Sequence, residues 1–277
     1  MITVATKEVS MDILKRSLAP ITEMAWNEID EQARRILHPL LSARRVVEVD
    51  GPRGWDYASV PLGRLEVPKK QPVKGIEYGV HQVLPLAEAR AFFNLNIWEL
   101  DNMVRGSRDI DLSPLETAAK NMAKFEESAV YNGFDPGCVV GMKKSSPYPA
   151  LTFSGGAEQI LETVSKGIAT FLKASVEGPY SLVVSVNLWS YLTSYTKGYP
   201  LEQHLEKLLG GAVVLNTFMN DSYLLSVRGG DLKLVLGQDL SIGYHSHDTE
   251  SVRLYFTETF TFQILDPSVI LRIEWKK

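Results

Sequence analysis

Hydrophobic and polar positions change period several times along this chain, and each change predicts an element. After Pro20, the residues Ile29, Ala33, Ile36, Leu37 and Leu40 recur at helical spacing, and Thr22 stands where a side-chain cap would start that helix. Pro39 is expected to kink or end it. Ser113-Pro-Leu-Glu116 reads as a capping box with proline at the first helical position. Leu115, Ala118, Ala119, Met122, Phe125 and Ala129 follow on one stripe, and Asn132-Gly133 tolerates the left-handed geometry that ends a helix. A second amphipathic helix is predicted over 157–173, with Ile160, Leu161, Val164, Ile168 and Phe171 along its apolar side. Ser181-Leu-Val-Val-Ser-Val186 predicts a buried strand, Pro200 opens a short helix closed by Gly210-Gly211, and Ala212-Val-Val-Leu215 is a strand again. Farther on, Gly229-Gly230 supplies a turn, and Leu232, Leu234 and Leu236 alternate with Lys233, Val235 and Gly237. Phe260 and Phe262 then share one face of a later strand whose other face carries Thr257, Thr259 and Thr261. The whole reads as an α+β chain.

Residues 51–80 interrupt this regularity with Gly51-Pro-Arg-Gly54, Pro61, Pro68-Lys-Lys-Gln-Pro72 and Gly75. The stretch is too polar for a core and too long for an ordinary connection. A free loop of that length would be an entropic liability, whereas a two-stranded arm lying on a neighbouring subunit would not. The length of 277 residues allows one large domain or two intimately joined ones. A net charge of −4 gives no nucleic-acid footprint. The single Cys138 excludes an intrachain disulfide framework and fits a reducing compartment. No apolar run reaches the roughly 18 residues needed to span a bilayer, and residues 1–10 carry no signal-peptide core. The expectation is a soluble cytoplasmic protein without nucleic-acid or membrane partners.

Candidate chemistry is sparse. His245-Ser-His247-Asp248 is a metal-like cluster, but a fixed site usually needs a third or fourth ligand, and a polar turn between two strands accounts for it. His38, His81 and His204 are isolated and read as surface or interface residues. Asp109 and Asp111 precede a helix N-terminus, where acidic side chains suit the helix dipole. Nucleotide-binding and nucleophile-elbow fingerprints are missing, and Cys138 has no histidine nearby in sequence to activate it. No metal site and no catalytic residue is assigned. Arg90 and Trp98 are of the types that stack a flat ring system through π and cation–π contacts, and a tryptophan packed on a neighbouring subunit is the alternative.

In order along the chain come Met11-Asp-Ile-Leu-Lys-Arg-Ser-Leu-Ala-Pro20, Val49-Asp-Gly-Pro-Arg-Gly-Trp-Asp-Tyr57, Leu84-Pro-Leu86, Trp98-Glu-Leu-Asp-Asn102, Phe125-Glu-Glu127, Gly178-Pro-Tyr180, the stretch from Gly229 to Tyr244, Thr257-Glu-Thr-Phe-Thr-Phe-Gln263 and Pro267. Across nearly its whole length the chain resembles the family 1 encapsulins, the linocin or bacteriocin-like shell proteins of prokaryotic nanocompartments. The resemblance implies the tailed-phage major capsid (Hong Kong 97-type) fold and a structural, non-enzymatic protein. It divides the chain into an N-terminal arm (1–20), a luminal N-terminal helix (21–50), an extended loop (51–82), a peripheral domain with the long spine helix (83–134), an axial domain (135–222) and a return to the peripheral domain (223–277).

The resemblance further implies self-assembly into an icosahedron of about 60 copies, or a larger shell of near-identical chains. Cargo enzymes of this family, ferritin-like proteins or dye-decolourising peroxidases, are held by a terminal targeting peptide, for iron storage or oxidative-stress defence. The groove residues it implies are Leu37, Leu41, Arg44, Leu240 and Ile242, with Arg44 pairing to acidic or carbonyl groups of the peptide. It aligns Ser194, Tyr195, Thr196, Lys197 and Gly198 with the loop bordering the five-fold pore, and Arg90 and Trp98 with a segment that carries FMN or another flavin in some members. The apolar face of the first helix packs on its own subunit or lines the interior; the residues leave both open. The competing readings are a small flavin-dependent oxidoreductase or hydrolase and a phage major capsid protein. No motif supports a bacteriocin-like or protease-like activity.

Overall fold

Two five-stranded sheets and one projecting hairpin organise the chain. The computed structural model describes residues 13–70, 72–194 and 200–275. In order, the elements are α1 (Glu23–Leu40), β1 (Glu48–Asp50), β2 (Ser59–Glu66), β3 (Val80–Pro85), β4 (Ala87–Asn96), α2 (Ile97–Val104) and α3 (Ser113–Asn132). There follow α4 (Met142–Ser145), β5 (Leu151–Phe153), α5 (Ala157–Lys173), β6 (Tyr180–Ser185), α6 (Val186–Ser194), α7 (Leu201–Leu209) and β7 (Val213–Asn216). The last elements are β8 (Ser222–Ser226), β9 (Leu232–Leu236), β10 (Ser241–His247), β11 (Ser251–Ile264) and β12 (Ile270–Trp275).

The first sheet is built on β11. Its residues Ser251–Phe260 pair antiparallel with β4, Val252–Thr257 also pair with β10, and Phe260–Ile264 pair with β9, which in turn takes β1 in parallel. α1 and α3 cover one side, and the buried residues Ile29, Ala33, Leu37, Leu115, Ala119, Met122, Leu254 and Phe256 form a single core there. Within the subunit the apolar face of α1 is buried against this core. Thr22 caps the helix, with its Oγ1 accepting from the Ala25 N–H at 3.3 Å, and Pro39 lies in the last turn. The second sheet runs β5-β12-β8-β6-β7 and packs with α5 and α7 into a second core containing Val164, Phe171, Leu205 and Leu224.

Two expectations need correction. The predicted capping box at Ser113 does not form: Ser113 is already helical, and the Asp111 carboxylate accepts the Ser113 N–H at 2.9 Å. Glu116 turns away to accept from Gln32 on α1 at 2.8 Å, since a tertiary partner competes with the local cap. Nor does the segment 223–277 return as one piece. β9, β10 and β11 join the first sheet, but β8 and β12 pair with each other and with β6 and β5 in the second. Strands of similar apolar content cannot be sorted between two sheets by sequence, because partner choice is made across space.

The 51–82 stretch carries the antiparallel β2–β3 hairpin. Its root is stitched to the end of β9, where the Arg53 N–H donates to the Leu236 carbonyl at 3.0 Å and the Gly54 N–H to the Gly237 carbonyl at 2.8 Å. Gly51 is required there: its φ is +136°, and a Cβ would stand 2.5 Å from the Leu236 oxygen. Beyond the root, Leu65, Val67, Ile76 and Val80 are all more than half exposed.

Candidate functional site

A groove of about 220 Å³ lies between α1 and the start of β10. Leu37 on the helix faces Leu240 and Ile242 on the strand side, with Phe256 of β11 among the lining residues. These three of the five sequence-predicted groove residues therefore come together. Leu41 is buried in the same core but does not line the opening. Asp30, Ala33 and Arg34 share the helix face with Leu37 because they fall at three- and four-residue spacing. That spacing was present in the sequence, and it is the signal by which they could have been found.

The outer wall comes from the segment before α1. The Tyr244 N–H donates to the Leu14 carbonyl at 2.7 Å, and the Tyr255 hydroxyl donates to the Ile13 carbonyl at 3.0 Å. Arg16 pairs with Asp30 at 2.8 Å and lies 4.0 Å above the Trp26 ring. The Met11–Pro20 motif thus has a structural use over its described part.

Arg44 is the fifth predicted residue, and its role is corrected. It lies under the groove, not in it, and its guanidinium is taken by three carboxyls of the same chain. It meets Glu126 at 2.6 Å, Glu258 at 2.6 Å and Asp239 at 2.8 Å. Glu126 and Glu258 are fully buried. Burial works against the Arg44 charge, but the hydrogen bond and attraction from Glu126, then the attraction from Glu258 and Asp239, outweigh it and push its pKa upward. One helix position beyond Glu126, the Glu127 carboxyl accepts from the Ala43 N–H at 2.8 Å and from the Ser42 hydroxyl at 2.5 Å. It is also bonded by the Asn216 amide nitrogen, while the Asn216 oxygen accepts from the Phe218 N–H at 2.7 Å. Burial pushes the Glu127 carboxyl up to about 8, against the hydrogen bonds from Ser42 and Ala43 that favour its charge. This network ties the turn after α1 to α3 in one direction and to the second sheet in the other.

The remaining predicted sites fare differently. Arg90 pairs with Glu88 at 2.6 Å and lies 4.9 Å from the Tyr255 ring centre. Trp98 sits in the first turn of α2, is 67% exposed, and has Arg105 at 5.6 Å from its ring. Six extended residues of β4, about 20 Å, separate Arg90 from the start of α2. The two residues thus stand apart along β4 and α2. Ser194 closes α6, its hydroxyl donating to the Tyr191 carbonyl at 3.1 Å, whereas Tyr195, Thr196, Lys197 and Gly198 lie outside the described residues. His245 and His247 belong to β10 and not to a turn: His245 meets Phe92 edge-on, and His247 Nδ1 is 2.6 Å from the Tyr244 hydroxyl. Among the described residues no group of three or more His, Cys, Asp or Glu is placed to hold a metal ion.

A long helix against a sheet, a second sheet beside it and an apolar hairpin reaching outward define a subunit of the tailed-phage capsid class. Solved structures agree on that fold. The virus-like particle of Pyrococcus furiosus superimposes with a TM-score of 0.63 over 90% of this chain and 99% of its own, at 17% identity. A solved structure of Mycobacterium phage Bobi does so with a TM-score of 0.56 over 86% of this chain and 91% of its own, at 10% identity.

The chain belongs to the encapsulin shell family: residues 11–261 match the family Linocin_M18, described as "Encapsulating protein for peroxidase". The Type 1 encapsulin shell protein of Rhodococcus erythropolis is 37% identical over 95% of this chain and 100% of its own length. That of Rhodospirillum rubrum is 38% identical, covering 93% and 94%. This kinship makes the chain a structural shell protein, not an enzyme.

Proposed function

We propose that this chain closes with copies of itself into an icosahedral shell of about 60 subunits, enclosing a cargo enzyme whose terminal peptide lies in the α1–β10 groove. One observation carries the assembly reading. The β2–β3 hairpin exposes a run of large apolar side chains, with Val67 and Ile76 each 60% exposed, that no described residue of its own subunit covers. Contiguous apolar surface on a projecting arm is stabilised by a neighbour, and repetition of that contact around a closed symmetry makes a shell. The free, exposed Cys138 suits a cytoplasmic compartment. The family description favours a peroxidase over a ferritin-like protein as cargo, and hence oxidative-stress defence over iron storage.

Electron microscopy of the chain expressed alone and purified by size exclusion tests assembly. Uniform hollow particles eluting near the void are the expected result, and their diameter sets the copy number. A small discrete oligomer would overturn it. The groove has its own test, co-expression with a reporter enzyme fused to the terminal peptide of a peroxidase cargo. Leu240→Asp places a charge on the groove wall at a side chain that is only partly buried and packs against the core from outside. It is expected to leave hollow particles intact and to lower reporter loading at least tenfold. Unchanged loading would remove the groove from the account.

A further inference from the structure

The Arg44 cluster carries an imbalance that its ion pairs leave open. Glu126, Glu258 and Asp239 surround one guanidinium, and Glu127 lies next along α3. One Arg44 nitrogen, Nη2, meets both Glu126 and Glu258 at 2.6 Å, so the two buried carboxyls converge on a single donor. Glu258 Oε1 takes that bond, but Glu258 Oε2 is buried and meets no donor among the described residues. The Glu126 side chain lies within hydrogen-bonding contact of the Glu258 carboxyl, and both carboxyls are fully buried. Two ionised carboxylates in contact at buried positions repel strongly. A neutral acid at 258 resolves both problems, since its O–H satisfies the orphaned oxygen and turns a repulsion into a hydrogen bond.

We propose that Glu258 and Glu126 share one proton, and that this proton latches together the two walls of the groove. The elements packed on Glu258 bring Glu126 and Glu127 from α3, Arg44 from the turn after α1, Asp239 from the β9–β10 turn, and the uncharged Ala89 opposite it on β4. Arg44 lies in the turn after α1, and Asp239 directly precedes Leu240, so the latch ties the end of the helix wall to the start of the strand wall. When the proton leaves, a second full negative charge faces Glu126, the Arg44 junction loosens, and residues 41–44 and 239–242 gain freedom together. Burial, then repulsion from Glu126, holds the Glu258 carboxyl well above the ordinary carboxylate range, the direction this geometry requires. The latch is closed while that proton is held and opens as rising pH removes it. It rests on the cargo reading only for the groove's use, and its test employs empty shells so that either can fail alone.

The experiment measures thermal unfolding of cargo-free wild-type and Glu258→Gln shells from pH 8 upward to about 10, a window above the Glu127 transition and below tyrosine and lysine ionisation. Glutamine keeps the oxygen that Arg44 binds and places an N–H where the shared proton lies. The wild-type unfolding equilibrium should shift by up to tenfold per pH unit across the window, seen as a falling melting temperature, while Glu258→Gln stays flat. Amide exchange at 41–44 and 239–242, corrected for intrinsic rate, should rise with pH in the wild type alone. Equal slopes in the two proteins, or exchange that rises equally in both, would overturn the latch. Should Glu258→Gln fail to fold, isotope-edited infrared spectra of wild-type shells labelled at glutamate decide at about pH 9, above the Glu127 transition. A carboxylic-acid carbonyl band supports the proposal, and its absence overturns it.

Discussion

Arg44→Met is expected to destabilise the folded subunit by about 3–5 kcal/mol, the usual cost of removing one partner from a buried ion pair. The side chain is 18% exposed, and Glu126 and Glu258 are not exposed at all, so water screens little of the loss. Methionine fills the aliphatic space but returns nothing to the two carboxyls. Negative charge on them is then left uncompensated in the interior. Denaturant unfolding and yield of assembled particles measure the effect. An Arg44→Met shell that is as stable as the wild type yet fails to load cargo would reverse the assignment made here, and return Arg44 to the peptide-binding role that the sequence suggested.

Glu127 gives the second large effect, with a pH signature of its own. Its folded value of about 8 lies above the ordinary 4.5, so the native state binds the proton more tightly than the unfolded chain does. The linked stability is fully present below 4.5, declines as pH rises through that window, and is gone above about 8. Several kcal/mol are at stake across it at about 1.4 kcal/mol per pH unit. Glu127→Gln should flatten this decline. It should also start lower at acid pH, because an amide nitrogen would face the donating Asn216 side chain, whose oxygen is held by the Phe218 and Met219 N–H groups and cannot turn. Urea midpoints between about pH 4.5 and 8 for the two proteins are the measurement. Parallel curves would show that Glu127 is already ionised in the fold, carried by its three donors.

Much of the candidate site was legible, but not its charged part. The family resemblance named Leu37, Leu240 and Ile242, and the fold brings them to one groove. Glu126 and Glu258 left a trace that could have been read. Glu126 falls four residues after Met122 on the buried stripe of α3, and Glu258 shares its strand face with Phe260 and Phe262. A charge on an apolar face requires a partner. Nothing in the sequence named Arg44 as that partner, because it lies 82 residues from Glu126 and 214 from Glu258.

The sequence by itself determined the periodic elements, the long stripe of α3, the two-stranded nature of the arm and, through blocks spread along the chain, the family. These are local properties: side-chain spacing and turn chemistry act within a few residues, so they survive in one dimension. Only the tertiary structure decided that β8 and β12 leave the first sheet for the second, that Asp111 displaces Ser113 as the cap of α3, and that Arg44 is consumed by its own chain. Each of these turns on a partner distant in sequence, Gln32 drawing Glu116 away in the case of the α3 cap. The outcome is settled by which groups meet in the interior, where an unpaired strand edge or charge costs more than any local preference can return.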